Sequence, residues 1–283
     1  MKHLPEDLII TASGAFTSVL TALLLYGVER VFEISIYSWT FLFIIPVGAG
    51  ISGFAAATGY WFGAKLLNRR PGWILLFSIL GVSMGTFFLV HYLNYAALVI
   101  NGVPVRDAVP FGTYLSIVLT KSAISFHLRT VSLGSTGTLG AWGYVYALLQ
   151  ILGFAIGGFT VYTFLLLQPF CGSCERYYKR MKRTFRFTGD PDLMKGLVAT
   201  VLPLLYDKRL SEVEAAVESF GKPKPDKADT LRVEVSLWRC KACGERLLRF
   251  SVAKRFGDNW TDVDGLTHEA VSGSLVVTAS TAA

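Results

Sequence analysis

The chain has 283 residues, 52% of them hydrophobic and only 17% charged, with a formal net charge of +7. A soluble globular protein carries roughly 25% charged residues, and here the shortfall is concentrated. No formal charge falls between Asp7 and Glu29, Glu33 and Lys65, Arg70 and Arg106, or Arg129 and Glu175. Each gap exceeds the ~20 apolar residues that cross a ~30 Å hydrocarbon core, which excludes an ordinary soluble helical core with its polar faces.

In chain order, residues 8–28 read as the first span. The stretch is long for a signal peptide, Lys2 is opposed by Glu6 and Asp7, and no A-x-A site closes it, so it is expected to be retained. The second predicted span is 40–66, bent at Pro46, which cannot donate a helical hydrogen bond. The third is 72–93 and the fourth 141–167. Trp39, Trp61, Trp73, Tyr92, Tyr95 and Trp142 fall near the span ends, where an amphipathic ring suits the headgroup layer.

Short-loop charges set the expected orientation. Lys65, Arg69 and Arg70 follow the second span, and Arg176, Lys179, Arg180, Lys182, Arg183 and Arg186 follow the fourth. The first loop has only Arg30, flanked by Glu29 and Glu33. The cytoplasmic bias of Lys and Arg then places both termini in the cytoplasm of a multi-pass protein of the inner or plasma membrane. The run 176–186 is expected to lie against anionic lipid headgroups, at about 1 kcal/mol per basic residue. It accounts for the net charge without nucleic acid as a partner.

Small residues four apart, Gly59 and Gly63, Gly81 and Gly85, and Gly153 and Gly157, predict close helix packing within the chain or in a homo-oligomer. His91 is the one ionisable group well inside a predicted span. It reads as a neutral imidazole hydrogen-bonded to a neighbouring helix, and the lack of an intramembrane Asp or Glu argues against a proton relay. Residues 99–140 form an outer segment. Their apolar pieces, interrupted by Ser116, Thr120, Ser122 and Ser125, predict an interfacial or re-entrant helix with Lys121 and Arg129 reaching water, in preference to a fifth span.

All four cysteines lie in two C-x-x-C pairs, Cys171 with Cys174 and Cys240 with Cys243. Two such knuckles supply four thiolates, the ligand set of a closed structural Zn2+ site. Gly172 and Gly244 are expected to ease the two turns. Reduced cytoplasmic thiols disfavour a disulfide. Thiol exchange at the first pair is the competing use, but no soluble strand precedes it as in a thioredoxin-like motif.

Asp190 and Pro191 cap a predicted helix whose apolar stripe is Leu193, Leu197, Val201, Leu204 and Leu205. A second helix is expected with Ser211 as cap, Glu214 closing a capping box, and Val213, Ala216, Val217 and Phe220 inward. Residues 222–229 read as an exposed linker. Leu231, Val233, Val235 and Leu237 alternate before the second knuckle, and Leu248, Phe250 and Val252 alternate after it. That pattern predicts two strands joined through the knuckle, a zinc-ribbon arm, with 275–277 as a third strand and a frayed end beyond. His268, Asp262, Asp264 and Glu269 read as a solvated turn rather than a catalytic cluster.

The predicted architecture is an all-α polytopic membrane bundle of four transmembrane helices (1–168) followed by a small α+β cytoplasmic domain (169–283). No nucleotide-binding loop, metalloprotease motif or nucleophile elbow occurs, so the reading is not enzymatic. It is a membrane scaffold, assembly or regulatory protein that binds protein partners; a channel or small-solute transporter, and a thiol-disulfide or electron-transfer protein, are the competing classes.

Overall fold

The computed structural model describes residues 4–40, 45–121, 123–128, 131–226, 229–271 and 274–276. The chain divides into two compact units, Met1–Gln168 and Pro169–Ala283.

In the first unit, helices α1 (Leu4–Phe32), α2 (Val47–Leu66), α3 (Trp73–Ala97) and α6 (Trp142–Leu166) form a bundle. Residues Pro5–Phe32, α3 and α6 are long and apolar enough to cross a membrane. Their outward sides expose large apolar residues, among them Leu8, Phe16, Leu24, Ile74, Phe77, Leu148 and Ile156. An apolar surface of that extent belongs to a chain that lipid or a partner covers. Helix α2 differs in composition, because Gly and Ala fill its buried positions. It also begins later than predicted, with Pro46 as its N-cap, so the proline stands before the first turn, where its missing N–H costs nothing. Phe41–Ile44 of that predicted span lie outside the described residues.

Contacts between the helices fix their directions. The Ser13 hydroxyl donates to Gly59 O (2.9 Å) and that of Thr17 to Ala56 O (2.7 Å), so α1 and α2 are antiparallel. Ser18 meets Thr86 at 2.7 Å, and Asn94 donates to Glu29 at 2.8 Å, which makes α1 and α3 parallel. Phe87 packs against Phe154 while Gly158 faces Ser83, so α3 and α6 are antiparallel. Helices α2 and α6 are parallel and nearly touch. A Cβ placed on Gly53 would sit 2.2 Å from Phe154 O, and one on Gly157 would sit 2.1 Å from Gly50 O. Gly59 is pressed on Ser13 in the same way. The third glycine pair behaves otherwise: Cβ atoms at Gly81 or Gly85 would meet nothing within 4 Å.

The up-down order brings Glu6, Asp7, Lys65 and Arg69 to one pole of this unit, where Arg69 pairs with Glu6 (3.4 Å) and Asp7 (3.5 Å). The opposite pole holds a 3-10 turn (Ile36–Ser38), the hairpin β1 (Val99–Ile100) and β2 (Val103–Pro104), and helices α4 (Val105–Ala108) and α5 (Phe111–Lys121). Phe111 of α5 packs edge-on to Tyr92, Tyr114 packs at a tilt against Tyr95, and Ser116 bonds Tyr144 at 2.6 Å. Eleven residues are too few to span, and the chain then turns to a hairpin of β3 (Ala123–Leu128) and β4 (Val131–Thr138), not to more helix. The interfacial or re-entrant helix expected within 99–140 is therefore met by α5 alone, and residues 123–128, expected to continue it, form strand β3 instead.

The second unit begins with the short hairpin β5 (Phe170–Cys171) and β6 (Arg176–Tyr177). Its main sheet is antiparallel, in the order β12 (Ser274–Val276), β11 (His268–Val271), β9 (Arg246–Phe256), β8 (Leu231–Arg239), β7 (Lys179–Thr188), with β10 (Asn259–Asp262) also on β9. Helices α7 (Pro191–Tyr206) and α8 (Leu210–Glu218) cover one face. Met194, Leu197, Val201 and Leu205 of α7, and Val213 and Val217 of α8, meet Val233, Val235, Leu248, Phe250 and Val252 in one core. The alternation in β8 and β9 is thus the inward row that the sequence predicts. On α7, Asp190 Oδ1 accepts the amides of Asp192 (2.8 Å) and Leu193 (3.4 Å), as its cap pattern requires. Leu193 itself is exposed, and Met194 takes the inward place.

Two expectations are corrected in this unit, and the basic run gains a secondary structure that the sequence reading did not assign. Helix α8 starts at Leu210 with Arg209 as N-cap and no capping box, since Leu210 is buried and Glu214 turns to Lys182 at 3.7 Å. The basic run is strand β7 for most of its length, held by β8 through nine register pairs. The polar segment near His268 is not one turn: Asp262 ends β10, while His268 and Glu269 lie in β11, where Glu269 pairs with Arg249 at 3.4 Å. The last residue of the expected third strand, Val277, and the end expected to fray beyond it lie outside the described residues.

Candidate metal centre

The four cysteines come together inside the second unit. Cys171 closes β5, and the chain reverses through 172–175 so that Arg176 pairs back on it. The left-handed residue of this turn is Glu175 (φ 49°), not Gly172. Cys240 follows β8 directly and the second knuckle leads into β9; Gly244 has φ 75°, a conformation that favours glycine. Two backbone bonds close that knuckle, Gly244 N to Cys240 O (3.1 Å) and Cys240 N to Glu245 O (2.8 Å). Tyr178 N donates to Pro169 O (3.0 Å) and fixes the first.

The Sγ atoms of Cys171, Cys174, Cys240 and Cys243 all lie within 4.8 Å of one another, and those of Cys171 and Cys243 are 3.8 Å apart. A disulfide needs about 2.05 Å. A tetrahedral shell with metal–sulfur bonds of about 2.3 Å has sulfur–sulfur edges of about 3.8 Å. The thiols therefore stand at the separation at which four sulfurs can bind one metal ion. Cys171 and Cys240 are buried, Cys174 is half-buried and Cys243 is exposed. Tyr178 and Leu247 are buried with them, and Trp238 and Val271 pack around the group.

The surroundings act unequally on the sulfurs. Burial, then the Glu245 carboxylate, pushes the Cys171 thiol up to about 12. Backbone amides of the second knuckle, Cys243 foremost and then Ala242, draw Cys240 down to about 7. Glu245 accepts hydrogen bonds from both Tyr178 (2.7 Å) and Cys171 (3.2 Å). The bond from Cys171 requires its protonated thiol, so that sulfur must release its proton, and the bond with it, to bind a metal ion, while the bond from Tyr178 can persist.

Other candidate residues are not part of this cysteine group. His91, in the first unit, is 5% exposed and packs edge-on to Phe87 (4.6 Å) and Tyr37 (5.7 Å). Its Nε2 has no hydrogen-bond partner among the described residues, contrary to the helix-to-helix bond expected of it. Of the basic run, Arg183 grips Glu234 with two bonds (2.7 and 2.9 Å), Arg186 donates to Glu218 O and Lys182 meets Glu218. Glu245 and Tyr178 escaped the sequence reading; the one signal for Glu245 is its place two residues past Cys243.

No protein-family model matches this chain, and no curated protein or solved structure does either. Apolar helices of spanning length beside a four-cysteine cluster are compatible with a membrane protein that holds a metal site.

Proposed function

We propose that this chain is a four-span protein of the inner or plasma membrane that holds a zinc-ribbon domain at the cytoplasmic surface as a scaffold, assembly or regulatory module for protein partners. The observation that carries the reading is the clustering of the four thiols within 4.8 Å of one another, in a group that begins five residues after α6 ends. With four protein ligands the Zn2+ has no open coordination position, so it stabilises rather than catalyses. Held on both sides, by β5 and by the β8–β9 hairpin, it anchors the start of the domain to its sheet. That leaves surface recognition as the module's work.

A fourth span at α2 is supported by its length and surroundings. Twenty residues rise about 30 Å, the thickness of the hydrocarbon core. It runs antiparallel to α1 and packs on α1, α3 and α6, so much of its surface meets helices instead of lipid. Small residues serve that position better than large apolar ones. An even number of spans sets both termini on one side, and the pole that carries Lys65 and Arg69 would be cytoplasmic by the positive-inside rule. In β7, Lys179 and Arg180 remain at the exposed start of the strand, where anionic headgroups would be met. A transport path is less well supported, because Phe87 and Phe154 fill the bundle beside His91.

The test is to purify the full chain from its native membrane in mild detergent. One zinc per chain and a stoichiometric protein partner are expected, with partner and zinc both lost in Cys171→Ser while the protein stays in the membrane. Zinc-free protein with oxidised pairs, or proteoliposome flux that depends on His91, would replace this reading with one of the two competing classes.

A further inference from the structure

Between the C-terminal halves of α2 and α6 lies a groove of about 350 Å³, lined by Phe54, Thr58, Trp61, Phe62, Val161 and Phe164, with Gln168 at its end. It is almost wholly apolar: Thr58, its one hydroxyl, donates to Ala55 O of its own helix at 2.7 Å. The parallel helices touch at Gly53 and Gly157, and the partly exposed side chains of Phe54, Phe62 and Phe164 flank the groove. Trp61 forms part of the wall, and the Lys65 ammonium rests over its ring, 4.1 Å from the centroid. Lys65, adjacent to the lining through Trp61, therefore places a cation beside the end of the groove nearer the pole where α2 and α6 finish.

We propose that this groove is a binding site for one anionic glycerophospholipid, with an acyl chain along α2 and α6 and its phosphate at Lys65. The proposal rests on α2 and α6 lying in a bilayer. The dimensions agree with one leaflet: from Phe54 to Lys65, α2 rises about 16 Å, and half of a hydrocarbon core is about 15 Å. An acyl chain fills an apolar slot of that length, and only the headgroup end carries charge. Of the other cations at this pole, Arg69 is engaged by Glu6 and Asp7 and Arg70 lies beyond the end of α2, so Lys65, over the ring of Trp61, is the residue placed to choose the headgroup. A zwitterionic lipid would fill the slot equally well but brings no net charge to Lys65, so the site selects by headgroup and not by chain.

Photo-crosslinking in nanodiscs tests the site. The full chain is reconstituted with phosphatidylglycerol or phosphatidylcholine carrying a diazirine in the acyl chain, at equal mole fraction, and labelled peptides are mapped by mass spectrometry. The anionic probe should label the segments 54–62 and 161–168 about fivefold more than the zwitterionic one, the preference one lysine provides near an anionic headgroup. Lys65→Gln should remove the preference and keep the labelling, whereas Val161→Trp should block both probes at these segments alone. Equal labelling by the two lipids, labelling spread evenly over the exposed faces of α1 and α3, or crosslinking of α2 to a second copy through a cysteine at Thr58 would each overturn the site. Absence of labelling everywhere would instead show that the bundle is not in the bilayer, and would refute the membrane reading beneath it.

Discussion

If the four-cysteine centre holds the proposed metal ion, stripping it should unfold the knuckle end of the second unit and leave its sheet core standing. The two regions are separately packed. Cys171, Tyr178, Cys240 and Leu247 form one small buried group, while the core beneath α7 and α8 joins Val201, Val213, Val235, Leu248 and Phe250. The small group has few apolar contacts of its own, and a structural Zn2+ site contributes roughly 10–16 kcal/mol of apparent binding energy to the fold around it. Losing even a third of that, about 4 kcal/mol, accelerates amide exchange about a thousandfold where opening is local. The reporters are the amides of Tyr178, Cys240 and Gly244, whose hydrogen bonds hold the knuckles closed. Hydrogen exchange with mass spectrometry on the full chain in nanodiscs, with and without chelator, should show that rise over 170–178 and 239–246, and less than about tenfold change over 197–205 and 248–252. Cys240→Ser should reproduce the pattern without chelator. A uniform rise throughout the second unit would show that the ion supports the whole domain. No rise anywhere would refute a metal role at this centre.

Two further outcomes follow from the packing and the ion pairs. Gly157→Val should cost the bundle about 1–3 kcal/mol in a detergent unfolding titration, because the new side chain enters space within 2.1 Å of Gly50 O, whereas Gly85→Ala, which meets nothing within 4 Å, should cost less than about 0.5 kcal/mol; equal effects would refute the close approach of α2 and α6. Glu234→Gln should destabilise the second unit by about 1–2 kcal/mol at pH 7, since the carboxylate is 18% exposed and held by two bonds from Arg183. Burial works to raise the Glu234 carboxyl, but the Arg183 bonds and charge outweigh it and hold it below its usual range. Its contribution is therefore complete above the unfolded carboxyl value near 4.3 and fades as pH falls through the lower folded value. The gap between variant and wild type, read by tryptophan fluorescence during denaturation, should be level from pH 8 to 5 and shrink below about pH 4; a gap that widens on acidification would contradict the ion pair.

Sequence alone determined what depends on local chemistry and one-dimensional pattern. Charge-free stretches longer than a bilayer's thickness marked the helices of the bundle, the Asp190-Pro191 start marked α7, strict alternation marked β8 and β9, and paired C-x-x-C spacing marked the four thiols that the fold brings within 4.8 Å. What the tertiary structure decided depends on neighbours distant in the chain. Residues 176–186 read as a basic run beside lipid headgroups, and that most of the run is strand emerges only when β8 is laid beside it, because an edge strand tolerates charge on both faces and betrays itself only by its partner. The three glycine pairs look alike in sequence, yet two are pressed against other helices and Gly81 with Gly85 faces outward. Glu245 carries no motif, and its tie to Tyr178 and Cys171 exists only once two segments some 70 residues apart are folded together. Composition tells which stretches must leave water; which surfaces then meet is set by shape and by hydrogen bonds that no single segment contains.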